Sequence, residues 1–156
     1  MDFVELNKKF REYGRTLGSV ESFTGGLFAH EVTKVPHASR FYKGGLVTYS
    51  TEEKNRLLGI RYDLIDTHGV ISQECAGAMS GNGRALLNVD YCVSFTGNAG
   101  PDAMEGKKVG EVYIGVSAYD LTKVYSYQLE GSREEIQKQA IQIACELLVQ
   151  LLEEKK

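Results

Sequence analysis

The sequence predicts an α/β fold, a three-layer α/β/α arrangement with a mixed, mostly parallel sheet closed by a C-terminal hairpin and followed by a long final helix. Three observations predict it. Strand-length apolar runs alternate with segments of helical period through about residue 97. Those runs are almost continuously apolar, as strands are when helices cover both faces of their sheet. Beyond them come segments of period-two alternation on either side of Tyr119-Asp120-Leu121, and then a long amphipathic stretch.

Each element has its own signal. Asp2 caps a first helix with Phe3, Leu6 and Phe10 on one face, ended by Gly14. A short strand from Thr16 to Glu21 runs into Ser22-Phe23-Thr24-Gly25-Gly26, after which Leu27, Phe28, Val32 and Val35 recur at helical spacing up to Pro36. Gly44-Gly45 introduces a β-prone run, Leu46-Val47-Thr48-Tyr49. Ser50 and Glu53 then form a capping box for a helix carrying Lys54, Leu57 and Leu58. Ser72 caps another helix through Leu87, in which Gly77, Gly81 and Gly83 point to close packing. Tyr91 to Phe95 reads as a buried strand ending in the turn-forming Thr96-Gly97-Asn98-Ala99-Gly100-Pro101. Val109–Ala118 and Thr122–Leu129 make the hairpin. Ser132 and Glu135 give a second capping box, opening a helix with Ile136, Ala140, Ile143, Leu147 and Leu151 on one face, and Lys155-Lys156 reads as a frayed tail.

A chain of 156 residues suits a single domain, 1–156, able to bury a core without staples. With 18 Lys+Arg against 21 Asp+Glu, the net charge of −3 argues against a nucleic-acid partner, which calls for a basic face. No leader pattern and no run near 18 apolar residues occurs, so no membrane is expected and the expected location is cytoplasmic. Cys75, Cys92 and Cys145 are odd in number and far apart, which reads as small core residues. His30, His37 and His68 have no ligand spacing; neither a metal nor a cofactor is expected.

In open α/β sheets, ligands gather where strand ends meet helix starts. The segments beginning at Glu21, Tyr49 and Thr96 all end strands and together offer a nucleophile, a cation and backbone amides. The Ser22 turn resembles a phosphate cradle, although it lacks both the Walker and the dinucleotide glycine patterns. Taken singly, each residue has a plain structural reading. Ser22 or Thr24 reads as a helix cap, Lys54 as a solvated helix residue, Tyr49 as core, and Arg133 as a surface residue placed against the helix dipole.

The order of the motifs changes those readings. Glu-Ser-x-Thr-Gly-Gly at 21–26, Tyr-Ser-x-Glu-x-Lys at 49–54, Thr-Gly-x-Ala-Gly-Pro at 96–101, Val-Gly-x-Val-Tyr-Ile-Gly at 109–115 and Gly-x-Arg at 131–133 resemble the CinA C-terminal domain family, the nicotinamide-nucleotide amidases. The segment His68-Gly69-Val70-Ile71-Ser72 is similar to a further family motif, and the resemblance runs from about residue 3 to 152.

The resemblance implies hydrolysis of the carboxamide of nicotinamide mononucleotide to nicotinate mononucleotide and ammonia, in pyridine-nucleotide salvage. It implies Ser22 as nucleophile, Lys54 as its base and Tyr49 beside them, with Thr24, Gly25, Thr96, Gly97 and Arg133 on the substrate. The chemistry is coherent. A serine needs a base, a lysine can serve once its pKa falls, amides of Phe23 to Gly25 can hold an oxyanion, and a guanidinium matches a phosphate. The expected partner is a small pyridine mononucleotide, with a homo-oligomer built on the apolar final helix as a further expectation.

The chain departs from the family where Phe23 replaces a common cysteine, where Ser132 replaces an aspartate, and along the glycine-poor stretch 98–110. Phe23 motivates a second reading, a catalytically silent nucleotide-binding or partner-binding module on the same fold; retention of Ser22 and Lys54 favours the amidase. A DNA-linked accessory role, suggested by the family's historical name, is opposed by the acidic charge. Larger members carry an N-terminal domain whose activities are not expected here.

Overall fold

The computed structural model describes residues 2–154. Its sheet has the order β2-β1-β3-β4-β5, with β1 (Leu17–Glu21), β2 (Tyr42–Val47), β3 (Tyr91–Gly97), β4 (Glu111–Ala118) and β5 (Leu121–Gln128). β1 pairs in parallel with β2 and β3, whereas β3–β4 and β4–β5 are antiparallel. The sheet is therefore mixed, as expected, but evenly rather than mostly parallel. It is also open, since the hairpin forms one edge and β2 the other.

Helices cover both faces. α1 (Phe3–Tyr13), α2 (Leu27–Lys34) and α6 (Arg133–Glu154) build the larger core, where Phe10, Phe28, Ile136, Ala140 and Leu148 meet Leu17, Val93, Phe95 and Ile114. α3 (Thr51–Leu58), α4 (Tyr62–His68) and α5 (Gln73–Leu87) cover the other face around Val20, Ile60, Met79 and Cys92. Gly83 on α5 shows why small residues recur there: a Cβ would stand 2.4 Å from Val20 Cγ2. All three cysteines are buried thiols in these cores.

The caps follow the sequence. Asp2 accepts the Glu5 N–H at 2.9 Å, Gly14 closes α1 in the left-handed region at φ 63°, and Ser72 accepts the Cys75 N–H at 3.1 Å. The box at Ser132 and Glu135 forms in both directions. That at Ser50 forms only its hydroxyl half, because the Glu53 carboxylate pairs with Arg56 instead.

Three elements differ from expectation. β2 starts at Tyr42 rather than Leu46 and ends before Thr48. Gly44-Gly45 lies inside the strand and does not precede it: a Cβ on Gly45 would lie 2.5 Å from both Ser19 Oγ and Tyr42 Oη, which hydrogen-bond each other at 2.6 Å across that spot. A 3-10 turn over Ala38–Arg40 and the short α4 were not expected; α4 has no side-chain cap and only seven residues to show a period. The Lys155-Lys156 tail lies outside the described residues.

Candidate active site

Because β1 has parallel neighbours on both sides whose connections leave over opposite faces, the carboxyl ends of β1, β2 and β3 converge where a ligand crevice is expected. A cleft of about 240 Å³ opens there, lined by Ser22, Phe23, Tyr49, Lys54, Val70, Ile71, Thr96, Gly97, Ala99, Met104 and Arg133, among others. A larger depression, about 650 Å³, lies at the amino end of β1 among Lys8, Arg11, Arg15 and Arg40 and contains no nucleophile–base pair.

At the cleft floor Lys54 Nζ lies 3.0 Å from Ser22 Oγ and donates to the Thr48 carbonyl at 2.7 Å. These residues are 32 apart in sequence; the β1 end supplies the serine, and the first turns of α3 supply the lysine. Lys54 is 1% exposed. The solvated-helix reading therefore fails: Lys54 shares the inward face of α3 with Leu58 and points into the protein. Burial pulls its pKa below the ordinary 10.5, opposed by the Cys75 thiol and the Glu105 carboxylate, which raise it. No carboxylate pairs with it among the described residues, so nothing locks it in its charged form. Cys75 itself is pushed up to about 11 by burial and stays a neutral thiol at pH 7.

The backbone around Ser22 changes several sequence readings. α2 begins only at Leu27 with Gly26 as its cap residue and no side-chain cap, so neither Ser22 nor Thr24 caps it. Its start is sealed instead by Glu21, whose buried carboxylate accepts the N–H groups of Phe28 at 2.9 Å and Ala29 at 3.1 Å. The phosphate cradle expected at this helix start is thus filled by the protein's own anion. The Gly25 N–H is spent on the Ser22 carbonyl at 3.0 Å, which removes it from the expected oxyanion amides. The N–H groups of Phe23 and Thr24 make no hydrogen bond within the described residues, and these two remain as donors beside Ser22. Thr24 itself is buried with its hydroxyl unpartnered, and Gly25 is exposed; neither lines the cleft, in contrast to their expected place on the substrate.

Thr96 and Gly97 do line it, from the end of β3. Thr96 Oγ1 donates to the Val70 carbonyl at 2.7 Å, and Gly97 is required by contact, since a Cβ would stand 2.8 Å from Val112 Cα. Tyr49 is not core: it is 61% exposed at the cleft mouth, where its hydroxyl accepts from Arg133 at 3.0 Å. Arg133 also donates to the Gly100 carbonyl. Those bonds hold a cation at the start of α6 against the dipole, an arrangement that helix stability alone disfavours. Phe23 is buried in the α1–α2–α6 core and also lines the cleft, and its carbonyl accepts from Gln137 at 2.8 Å.

One residue that sequence reading passed over belongs to this region. Glu105, in the loop between β3 and β4, accepts the N–H groups of Val70 and Ile71, both at 3.0 Å. Among the described residues no group of three His, Cys, Asp or Glu side chains is placed to hold a metal, and no helix is long and apolar enough to cross a membrane.

Comparison with known proteins finds relatives over nearly the whole chain. The model of the CinA C-terminal domain matches residues 4–152. A Bacillus velezensis protein named as competence-damage inducible is 41% identical over 151 residues, covering 97% of this chain and 36% of its own length. A Bacillus subtilis protein of the same name is 40% identical over the same span. The chain thus spans about a third of the length of these relatives. Crystal structures of competence damage-inducible proteins from Klebsiella pneumoniae (27% identity, TM-score 0.92, 96% of both chains) and Agrobacterium tumefaciens (28% identity, TM-score 0.90, 97% of this chain and 96% of that one) share the fold.

Proposed function

The chain belongs to the CinA C-terminal domain family, and from that premise we propose that it is a serine–lysine amidohydrolase that converts nicotinamide mononucleotide to nicotinate mononucleotide and ammonia. The observation that carries the proposal is the buried, carboxylate-free amine of Lys54 at 3.0 Å from Ser22 Oγ.

The chemistry follows from that contact. In its neutral form Lys54 keeps a donor for the Thr48 carbonyl and turns its lone pair to the serine hydroxyl. Ser22 Oγ attacks the carboxamide carbon as its proton passes to Nζ. The negative oxygen of the tetrahedral adduct has the Phe23 and Thr24 amides within its neighbourhood. Collapse breaks the C–N bond, and the proton on Nζ goes to the departing nitrogen, which leaves as ammonia. A water then attacks the acyl-serine, giving one proton to Nζ, from which Ser22 recovers it as the C–O bond to Ser22 breaks; the acid product loses its remaining proton to solvent and leaves as the carboxylate. Lys54 thus acts as base and acid in each half of the cycle.

Arg133 and Tyr49 at the mouth suit the phosphate, while Phe23, Val70, Ile71, Ala99 and Met104 offer apolar surface to the pyridine ring. A second reading, a silent binding module, is favoured by one fact: the cleft, at about 240 Å³, is smaller than the roughly 300 Å³ at which ligand pockets commonly begin. Ammonia release from nicotinamide mononucleotide, compared with the riboside and free nicotinamide, decides between them. Binding without turnover supports the silent module; turnover that requires Ser22 supports the amidase.

A further inference from the structure

We propose that Glu105 is a positioning residue for this reaction, clamping the loop between β3 and β4 onto the Val70–Ile71 segment so that the two together wall the substrate cleft. The inference rests on the amidase reading above.

The clamp is specific in its geometry. Glu105 stands in the left-handed region at φ 54° and is followed by Gly106 at φ 70°, a tight reversal that turns the carboxylate back toward the body of the protein. Each carboxylate oxygen takes one of two consecutive backbone N–H groups: Oε2 that of Val70 and Oε1 that of Ile71, both at 3.0 Å. The approach depends on Gly69, where a Cβ would lie 2.8 Å from Oε1 and whose own φ is 84°. Only an anion satisfies this pair, because both partners are donors. Glutamine would set its own N–H₂ against one of them.

Cleft-lining residues flank the clamp on both sides. Met104 immediately precedes Glu105, while Val70 and Ile71 are the clamped residues themselves. The Val70 carbonyl in turn accepts from Thr96 at the end of β3, so the loop tip, the wall and the strand end are tied in one series of hydrogen bonds. The loop's base is held separately, through Asn98 Nδ2 to the Lys107 carbonyl at 3.3 Å, Gly110 N–H to the Asn98 carbonyl at 2.7 Å, and Arg133 on Gly100. Losing Glu105 therefore frees the tip and leaves the base in place. The charge has a second effect. The ionisable groups acting on Lys54 are Cys75 from α5 and Glu105 from the loop; with the thiol neutral, Glu105 supplies the negative charge that favours the protonated amine.

The test uses the full chain with Glu105→Gln, Glu105→Ala and Gly69→Ala, the last pushing on the same contact while sparing the carboxylate. Hydrogen–deuterium exchange of the Val70 and Ile71 amides reads the clamp without any activity and is expected to speed up roughly tenfold in all three. With nicotinamide mononucleotide as substrate, KM is expected to rise roughly tenfold while kcat changes less than about threefold, the pattern of lost uniform binding. Glu105→Gln and Glu105→Ala should also move the acid limb of the kcat/KM profile to lower pH, whereas Gly69→Ala should not. A merely structural anchor predicts faster amide exchange with KM and the limb unmoved, and that result overturns the inference while the amidase reading stands. If wild type binds the mononucleotide without turnover, its calorimetric Kd replaces KM with the same expectation. A wild type that neither binds nor hydrolyses it overturns the functional reading first, and this inference with it.

Discussion

The Glu21 carboxylate accepts the Phe28 N–H at 2.9 Å, turning away from the cleft although its neighbour in sequence is the nucleophile. Strand end and helix start are thereby joined across the Ser22 turn, and the joint is buried. Glu21→Ala leaves the Phe28 and Ala29 amides without their acceptor, so it is expected to cost about 2–5 kcal/mol, with Glu21→Gln intermediate because one oxygen acceptor survives. Urea unfolding midpoints at constant m measure it. A loss below about 0.5 kcal/mol for Glu21→Ala would mean that water replaces the carboxylate and that the turn is held by other contacts.

Ser22 and Lys54 are expected to fail together. Ser22→Ala, Lys54→Ala and Lys54→Arg should each fall to near background in ammonia release while still binding the mononucleotide, and the double variant should be little worse than either single one. The arginine variant is the informative one: a guanidinium keeps the charge but cannot accept a proton at working pH. Substantial turnover in Lys54→Arg makes the lysine an electrostatic element and sends the search for a base elsewhere.

The pH dependence has a definite sign. Burial lowers the Lys54 pKa, and the neutral amine is the active form, so kcat/KM should rise with pH through that lowered value, at a limb below 10.5. Stability is linked to the same shift. Between the folded and unfolded pKa the unfolded chain holds a proton that the folded chain lacks, so stability rises with pH across that window and is lost as pH falls through the folded value. Wild type should thus gain stability from pH 7 toward pH 10 relative to Lys54→Met, measured by urea titration at each pH. Parallel curves would show that Lys54 titrates normally.

No metal is expected to take part. Activity should survive excess EDTA, measured by ammonia release; inhibition that a divalent cation reverses would reveal ligands gathered from residues distant in sequence.

Much of this molecule was legible in its sequence because local rules carried it. Asp2, Gly14, Ser72 and Ser132 end or begin helices where their chemistry says they should, and the apolar runs found their strands. What escaped were features created by neighbours. The first half of the edge strand β2 escaped because Gly45 makes way for the Ser19–Tyr42 hydroxyl pair, which only the parallel pairing of β1 and β2 assembles. Motif order picked out Ser22, Tyr49, Lys54, Thr96, Gly97 and Arg133, which line one cleft, but the contacts inside that cleft were not legible. Lys54 read alone is a solvated lysine, Thr24 and Gly25 lie outside the cleft lining, Glu21 showed only as a motif position, and Glu105 carried no signal, since the groups these carboxylates bond lie on other segments.

The cation at the start of α6 supplies the remaining test. Arg133 sits where the helix dipole disfavours positive charge, and its guanidinium reaches the Gly100 carbonyl and the Tyr49 hydroxyl across the mouth of the cleft. If it holds the substrate phosphate, Arg133→Ala should lower kcat/KM for nicotinamide mononucleotide by roughly ten- to a hundredfold, the range of one charge-assisted hydrogen bond at about 1.5–3 kcal/mol. The riboside lacks the phosphate, so its rate should start lower and fall little further in the variant. Tyr49→Phe removes an acceptor that orients the guanidinium without removing the charge, and a loss of a few-fold, confined to the mononucleotide, is expected. Because removing Arg133 also relieves the clash with the dipole, the variant's Tm should hold or rise, which separates lost recognition from lost folding. Equal wild-type rates on riboside and mononucleotide would sink the phosphate assignment and leave Arg133 as a strut between α6 and the loop after β3.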